Sequence, residues 1–218
     1  AHLRVPDPVR KMALEFGAAI DPMDLAGDGL ETDPHITALY GLHTQWHGDV
    51  ERVVRGFGPI SVKFGKVGCF FAEGTRAKSG AVLAASVQRG GEEHDVLYVE
   101  VEETDQLYRL NQRLKDGLAY TETHPTYTPH MTIGYVRPGT GQLYVGHSMF
   151  EGLEVDFDVL TFSDSKGRET PIALAWRKYR PSANGESLSA GKSLKDMKAA
   201  VANAYTNAMA SAVDMDCY

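Results

Sequence analysis

Cysteine is scarce in this chain: Cys69 and Cys217 are the only two among 218 residues. Two are too few for a disulfide framework, and they match no zinc-ligand spacing. Stability must therefore come from a hydrophobic core, and a reducing cytoplasm is the natural compartment. No apolar run approaches the length needed to span a bilayer, and the N-terminus does not read as a signal peptide, so no membrane role is expected. Positive charge is also short. Lys and Arg total 22 against 29 Asp and Glu, giving a net charge of −7. A protein that grips duplex or long single-stranded nucleic acid presents a basic face and a high pI. The pI here is about 5.6, which argues against that class of partner. The hydrophobic content of 43% is ordinary and allows one domain with a proper core, plus an appendage.

Two segments stand out against this background. Pro34-His35-Ile36-Thr37-Ala38-Leu39-Tyr40-Gly41 and Pro129-His130-Met131-Thr132-Ile133-Gly134-Tyr135 each run proline, His-x-Thr, a short apolar stretch, then Gly and Tyr in swapped order. In a strand, side chains alternate faces, so His35 and Thr37 share one face and Ile36 and Ala38 the other. His130 and Thr132 do the same. One H-x-[ST] among eight histidines would be noise. A third copy, His124-Pro125-Thr126, carries Pro at its centre within a turn-like run and is set aside, because Pro is disfavoured in a central strand. If the two remaining strands lie side by side, two imidazoles and two hydroxyls converge on one pocket. One imidazole can remove a proton from an attacking 2′-OH or water while the other protonates the leaving oxygen. The hydroxyls of Thr37 and Thr132 can donate to non-bridging phosphate oxygens, where charge builds in the transition state. The sequence does not assign base and acid. No metal or other cofactor is implied, since Thr is a poor ligand and no H-E-x-x-H occurs. A two-His metal site completed by a distant carboxylate stays open as the alternative.

The paired motifs resemble the signature of the 2H phosphoesterase superfamily, over roughly residues 30 to 177. That superfamily includes bacterial 2′-5′ RNA ligase-like proteins, cyclic nucleotide phosphodiesterases, tRNA-processing 1″,2″-cyclic phosphodiesterases and phage anti-CBASS nucleases. The run Leu39-Tyr40-Gly41 after the first motif is most similar to the bacterial and phage branches. The resemblance implies an α+β, bilobal fold, with two antiparallel sheets flanking a central cleft and helices outside. It implies a metal-independent phosphodiesterase with His35, Thr37, His130 and Thr132 as catalytic residues. The phage-branch likeness and the acidic charge together favour a cyclic oligonucleotide or dinucleotide signal, cleaved in the cytoplasm, or in a host's cytoplasm for a phage protein. The rival enzyme reading is a 2′,3′-cyclic phosphodiesterase or 2′-5′ RNA ligase-like enzyme on RNA ends. The rival of a different class is a nucleotide-binding or assembly module without turnover.

Along the chain, Pro8 to Ile20 reads as a helix, and the Asp- and Gly-rich stretch from Asp21 to Asp33 as a loop. The first motif strand follows from His35 to Leu42, then a helix from Asp49 to Phe57 and a strand from Ile60 to Phe71. Glu73 to Gly80 reads as a turn. Ala81 to Val87 and Val96 to Val101 read as strands joined around Gly90-Gly91. Thr104 to Leu118 is the clearest helix, with Leu107, Leu110, Leu114 and Leu118 at helical spacing and Thr104 as cap. The second motif strand runs from His130 to Val136. Val155 to Phe162 alternates as one strand with Val155, Phe157 and Val159 inward, and Pro171 to Trp176 closes the domain. The N-terminus shows mainly a helix and no strand ahead of the first motif. Residues 1–180 are expected to form the catalytic domain and 181–192 a linker. Residues 193–218 hold an amphipathic helix with Leu194, Met197, Val201, Tyr205, Met209 and Val213 on one face, capped by Ser193 and Asp196. It either docks on its own domain or carries a homo-oligomer or partner contact.

Pocket walls must set specificity. Tyr40, Tyr127, Phe71 and Trp176 are candidates to stack on a base, each weighed against an ordinary core or rim position. Tyr127 is favoured because it lies three residues before His130. Arg76 and Lys78 are candidates for a second phosphate, weighed against a solvated turn. His43 and His47 read as surface residues. Glu31 and Asp33 read as solvated, with one of them able to orient His35.

Overall fold

The computed structural model describes residues 1–72, 88–89, 92–102, 105–122 and 126–175. These lie within one compact unit, Ala1–Arg177. Arg76, Lys78, Trp176, the expected strand 81–87, the cap at Thr104, the linker and the C-terminal helix fall outside the described residues.

The elements in chain order are β1 (His2–Arg4), α1 (Asp7–Ala18), β2 (Leu25–Leu30), β3 (His35–Thr37), α2 (His47–Val54) and β4 (Ile60–Phe70). Then come β5 (Gln88–Arg89), β6 (Glu92–Glu93), β7 (Asp95–Val101), α3 (Asp105–Gly117) and β8 (His130–Val136). A 3₁₀ turn (Gly141–Leu143), β9 (Glu154–Phe157), β10 (Val159–Ser163) and β11 (Glu169–Ala173) complete the unit. This is the expected α+β class. Every pairing is antiparallel, and the strand path runs β11-β10-β1-β3-β8-β7-β4-β9, with β5 and β6 a separate ribbon. The two motif strands, β3 and β8, sit at the middle of that path. Each pairs outward with the strand that precedes its helix: β3 with β1 and β8 with β7. Strand–helix–motif strand is thus used twice, and β3 against β8 joins the two lobes into one path.

Helix positions follow from apolar spacing. In α1, Val9, Met12, Ala13 and Phe16 are buried, the i, i+3, i+4, i+7 stripe, and Pro8 occupies the first turn where its missing N–H costs nothing. In α3, Leu107, Leu110 and Leu114 are fully buried. Their neighbour Asn111 is buried too, and its side-chain amide donates to the Ala38 carbonyl at 2.7 Å, tying the helix to the segment after β3. Ile36, Met131 and Ile133 face this helical layer and are at most 1% exposed. Burying each such side chain contributes about 1.5–3 kcal/mol, and that burial fixes which way the motif strands face.

Three expectations need correction. The N-terminus does open with a strand, β1, whose three residues are too few to show alternation; it exists because β3 and β10 offer it two edges. The Asp- and Gly-rich stretch contains β2, which pairs with the end of β8 beyond the reach of the short β3. The stretch from Val155 to Phe162 is two strands, not one. The break at Asp158, whose carbonyl accepts from the Leu174 amide at 2.7 Å, shifts the alternation. Val159 is consequently 37% exposed while Leu160 is buried, and β9 joins β4 whereas β10 joins β1 and β11.

Candidate active site

The register places the motifs. Ile36 pairs with Met131 across β3 and β8. One step to either side in an antiparallel pair, His35 stands opposite Thr132 and Thr37 opposite His130. All four share the face away from the helices, and all are partly exposed. The two histidines are diagonal neighbours, a relation that sets them roughly 7–8 Å apart at the strand level.

Each imidazole is oriented the same way. His35 Nδ1 lies 2.8 Å from the Asp33 carbonyl oxygen, and His130 Nδ1 lies 2.7 Å from that of Thr128. A carbonyl only accepts, so each Nδ1 carries the hydrogen and each Nε2 keeps the lone pair when neutral. The buried prolines explain the geometry. Pro34 and Pro129 fix their own φ and hold the residue before them extended, which presents that residue's carbonyl to the histidine two positions on. Of the two acidic residues ahead of the first motif, Asp33 is the one that orients His35, through its backbone; its carboxylate takes a hydrogen bond from Arg4 at 2.8 Å. Glu31 accepts from the Asp33 amide at 3.0 Å.

The surroundings of the two rings differ. Beside His35 stands His2, on β1 opposite Thr37, with ring centroids 4.7 Å apart. Burial, and then the proximity of His35, lower the His2 pKa from 6.5 to about 4. Arg4, opposite His35, bridges the carboxylates of Asp33 and Glu169. His130 instead meets two aromatic rings edge-on, Phe70 at 5.0 Å and Tyr98 at 5.4 Å. Those two stack on each other at 4.2 Å, and burial pushes the Tyr98 phenol up to about 12. Gly68 makes room for Tyr98, because a Cβ there would lie 2.6 Å from its Cζ.

A cavity of about 420 Å³ opens beside His35 and Thr37. Tyr40, 64% exposed, borders it together with Glu31, Asp33, Ser163 and Glu169. Tyr127 lies elsewhere: its hydroxyl donates to the Thr37 carbonyl at 2.9 Å and its ring packs edge-on against Tyr108 of α3. Burial raises that phenol's pKa. Phe71 is 2% exposed, within the core, and its neighbour Phe70 faces the site instead. His43 is exposed and 2.8 Å from the Thr121 hydroxyl, and His47 is exposed at the start of α2. His2, Arg4, Phe70, Tyr98 and Glu169 escaped sequence reasoning. The only signal for them is register, which sequence does not display.

His2, Asp33 and Glu169 bring ligand-type atoms within 4.8 Å of one another. The Arg4 guanidinium already occupies both carboxylates, so a divalent cation would have to displace it. No helix among the described residues is long and apolar enough to cross a membrane.

A family model described as the 2′-5′ RNA ligase superfamily matches residues 18–163. No curated protein sequence matches the chain. Among solved structures, the crystal structure of TT0787 of Thermus thermophilus is similar at a TM-score of 0.48 and 17% identity, covering 80% of this chain and 96% of that one.

Proposed function

The chain belongs to the 2′-5′ RNA ligase superfamily, the 2H phosphoesterases, and we propose that it is a metal-independent phosphodiesterase that cleaves a cyclic oligonucleotide or dinucleotide signal. His35 and His130 are its proton-transfer pair. One neutral Nε2 takes the proton from a 2′-OH or water as its oxygen bonds to phosphorus. The other, as imidazolium, protonates the oxygen whose bond to phosphorus breaks. Each transfer contributes about 10²–10⁴ in rate. Thr37 and Thr132, alternating with the histidines, donate to the non-bridging oxygens.

The observation that carries this reading is the matched orientation of the imidazoles: both Nδ1 atoms engaged by a carbonyl two residues back, on adjacent strands of one face. The choice of substrate rests on weaker supports. A cavity of about 420 Å³ falls in the range of small-molecule sites, not of an extended strand groove. Its carboxylates can accept from the donor edge of a base, with Tyr40 placed to stack. Arg4 on Asp33 and Glu169 supplies the positive charge that a cation would otherwise bring to that corner, in keeping with metal-free chemistry.

The test is incubation with a panel of cyclic mono-, di- and trinucleotides and of RNA ends bearing 2′,3′-cyclic phosphate, with and without EDTA. Cleavage of a cyclic di- or oligonucleotide, unaffected by EDTA and bell-shaped in pH, is expected. Cleavage confined to RNA ends would move the substrate to the RNA-end reading. Binding without any cleavage would make the protein a nucleotide-binding module, and loss of activity in EDTA would end the metal-free scheme.

A further inference from the structure

We propose that His2 is a positioning residue for His35, a third imidazole that walls the His35 ring into one plane and one tautomer. The inference rests on the reading of His35 as a proton-transfer group. A single Nδ1–H bond to the Asp33 carbonyl fixes one point of that ring. The last torsion of a histidine is soft, so one bond leaves the ring free to tilt, and a tilt that breaks the Asp33 contact releases the tautomer that contact selects. A flat neighbour removes that freedom. In the second lobe the neighbours are Phe70 and Tyr98, the latter on β7. In the first lobe the strand in the equivalent place is β1, and the residue it brings to the wall is His2, 4.7 Å from His35 and tilted by 51°.

His2 is built in, not loosely laid on the surface. It is 9% exposed, and its Nε2 is buried without a hydrogen-bond partner, 3.6 Å from a Glu169 carboxylate oxygen. The same short strand supplies Arg4, which clamps the Asp33 side chain, and Asp33 in turn offers the carbonyl that holds His35. Wall and clamp therefore both come from β1. This strand lies outside residues 18–163, the segment matched by the family model.

The experiment is imidazole ¹⁵N–¹H NMR on wild type, His2→Ala and His2→Phe, followed by kinetics on the cyclic dinucleotide that wild type cleaves. In wild type, His35 and His130 are expected in the Nδ1–H form. In His2→Ala, His35 is expected to show both tautomers while His130 is unchanged, and kcat to fall at least about tenfold with KM held, the kind of loss that misplacing a reacting group produces. His2→Phe keeps a flat wall and should restore the His35 signal and kcat. If His2→Ala does not fold, His2→Leu, which fills space without a flat face, takes its place. An unchanged His35 spectrum in the Ala or Leu variant would overturn the proposal, and so would a Phe variant that behaves like Ala. Should wild type cleave no nucleotide, the phosphodiesterase reading fails, while the spectra still decide whether His2 orders His35.

Discussion

His35 and His130 give their Nδ1–H to carbonyls at 2.8 and 2.7 Å, an equivalence that extends to the preceding proline and the following Thr. Around that shared core the two lobes diverge. His35 sits against a second imidazole and next to an Arg4–Asp33–Glu169 ion network. His130 sits against a stacked Phe70–Tyr98 pair. The carbonyl contact that selects each tautomer is thus offered locally, within three residues, by x-Pro-His geometry. The ring plane is a tertiary matter, and the two lobes solve it with different chemistry. The two solutions should respond differently to conditions. The side chains of Arg4, Asp33 and Glu169 are each more than a third exposed, so salt screens them, whereas aromatic packing is indifferent to salt.

The largest effects test the equivalence. His35→Ala and His130→Ala should each lower kcat by about 10²–10⁴ without altering the melting transition, as read by cleavage assay and circular dichroism. A large loss from one and none from the other would break the two-imidazole scheme. Next come the hydroxyls: Thr37→Val and Thr132→Val should each cost about 10²–10³ in kcat, the loss seen when one donor to a developing oxyanion is removed.

The divergence is tested by pH. His2 has a folded-state pKa of about 4 against 6.5 when unfolded, so the unfolded chain takes up a proton first as pH falls. Burial is the main cause. The positive charges of His35, the chain's amino group and Arg4 add to it, and Glu169 opposes it. Folding is therefore weakened progressively between pH 6.5 and about 4, by up to about 3 kcal/mol. His2→Phe removes that liability. Its unfolding free energy should gain on wild type by that amount between pH 7 and pH 4 in urea titrations. A constant gap across that range would mean that His2 is not held neutral.

The smallest effect belongs to the second lobe. Gly68→Ala would set a Cβ 2.6 Å from the Tyr98 ring, so Tyr98 must swing away from Phe70. A loss of about 1–3 kcal/mol in stability is expected, with a shift of the His130 imidazole signals and none at His35. Equal shifts at both histidines would show that the lobes are not independent.

Some of this was readable along the chain. The leucines of α3 announce their element, because their period repeats over two turns, whereas the alternation in β8 holds only from His130 to Ile133. Other features lie below that threshold. β1 has three residues and β2 lies in a stretch of Asp and Gly, so neither carries a period of its own. Phe71 reads as well as Phe70 for a site aromatic. The two differ by one residue of strand phase, and that single step puts Phe71 in the core at 2% exposure and Phe70 beside His130.

The sequence by itself determined the local arrangement of each motif. Proline, histidine and threonine at fixed short spacing put imidazole and hydroxyl on one face and set a carbonyl within reach of Nδ1, through covalent geometry and the two-residue repeat of a strand. Tertiary structure decided which half-sites meet and what walls them. Register between β3 and β8, and between each of these and its outer neighbour, depends on burying Ile36 and Met131 together under the helices. That is a long-range packing choice which no local stretch of chain encodes.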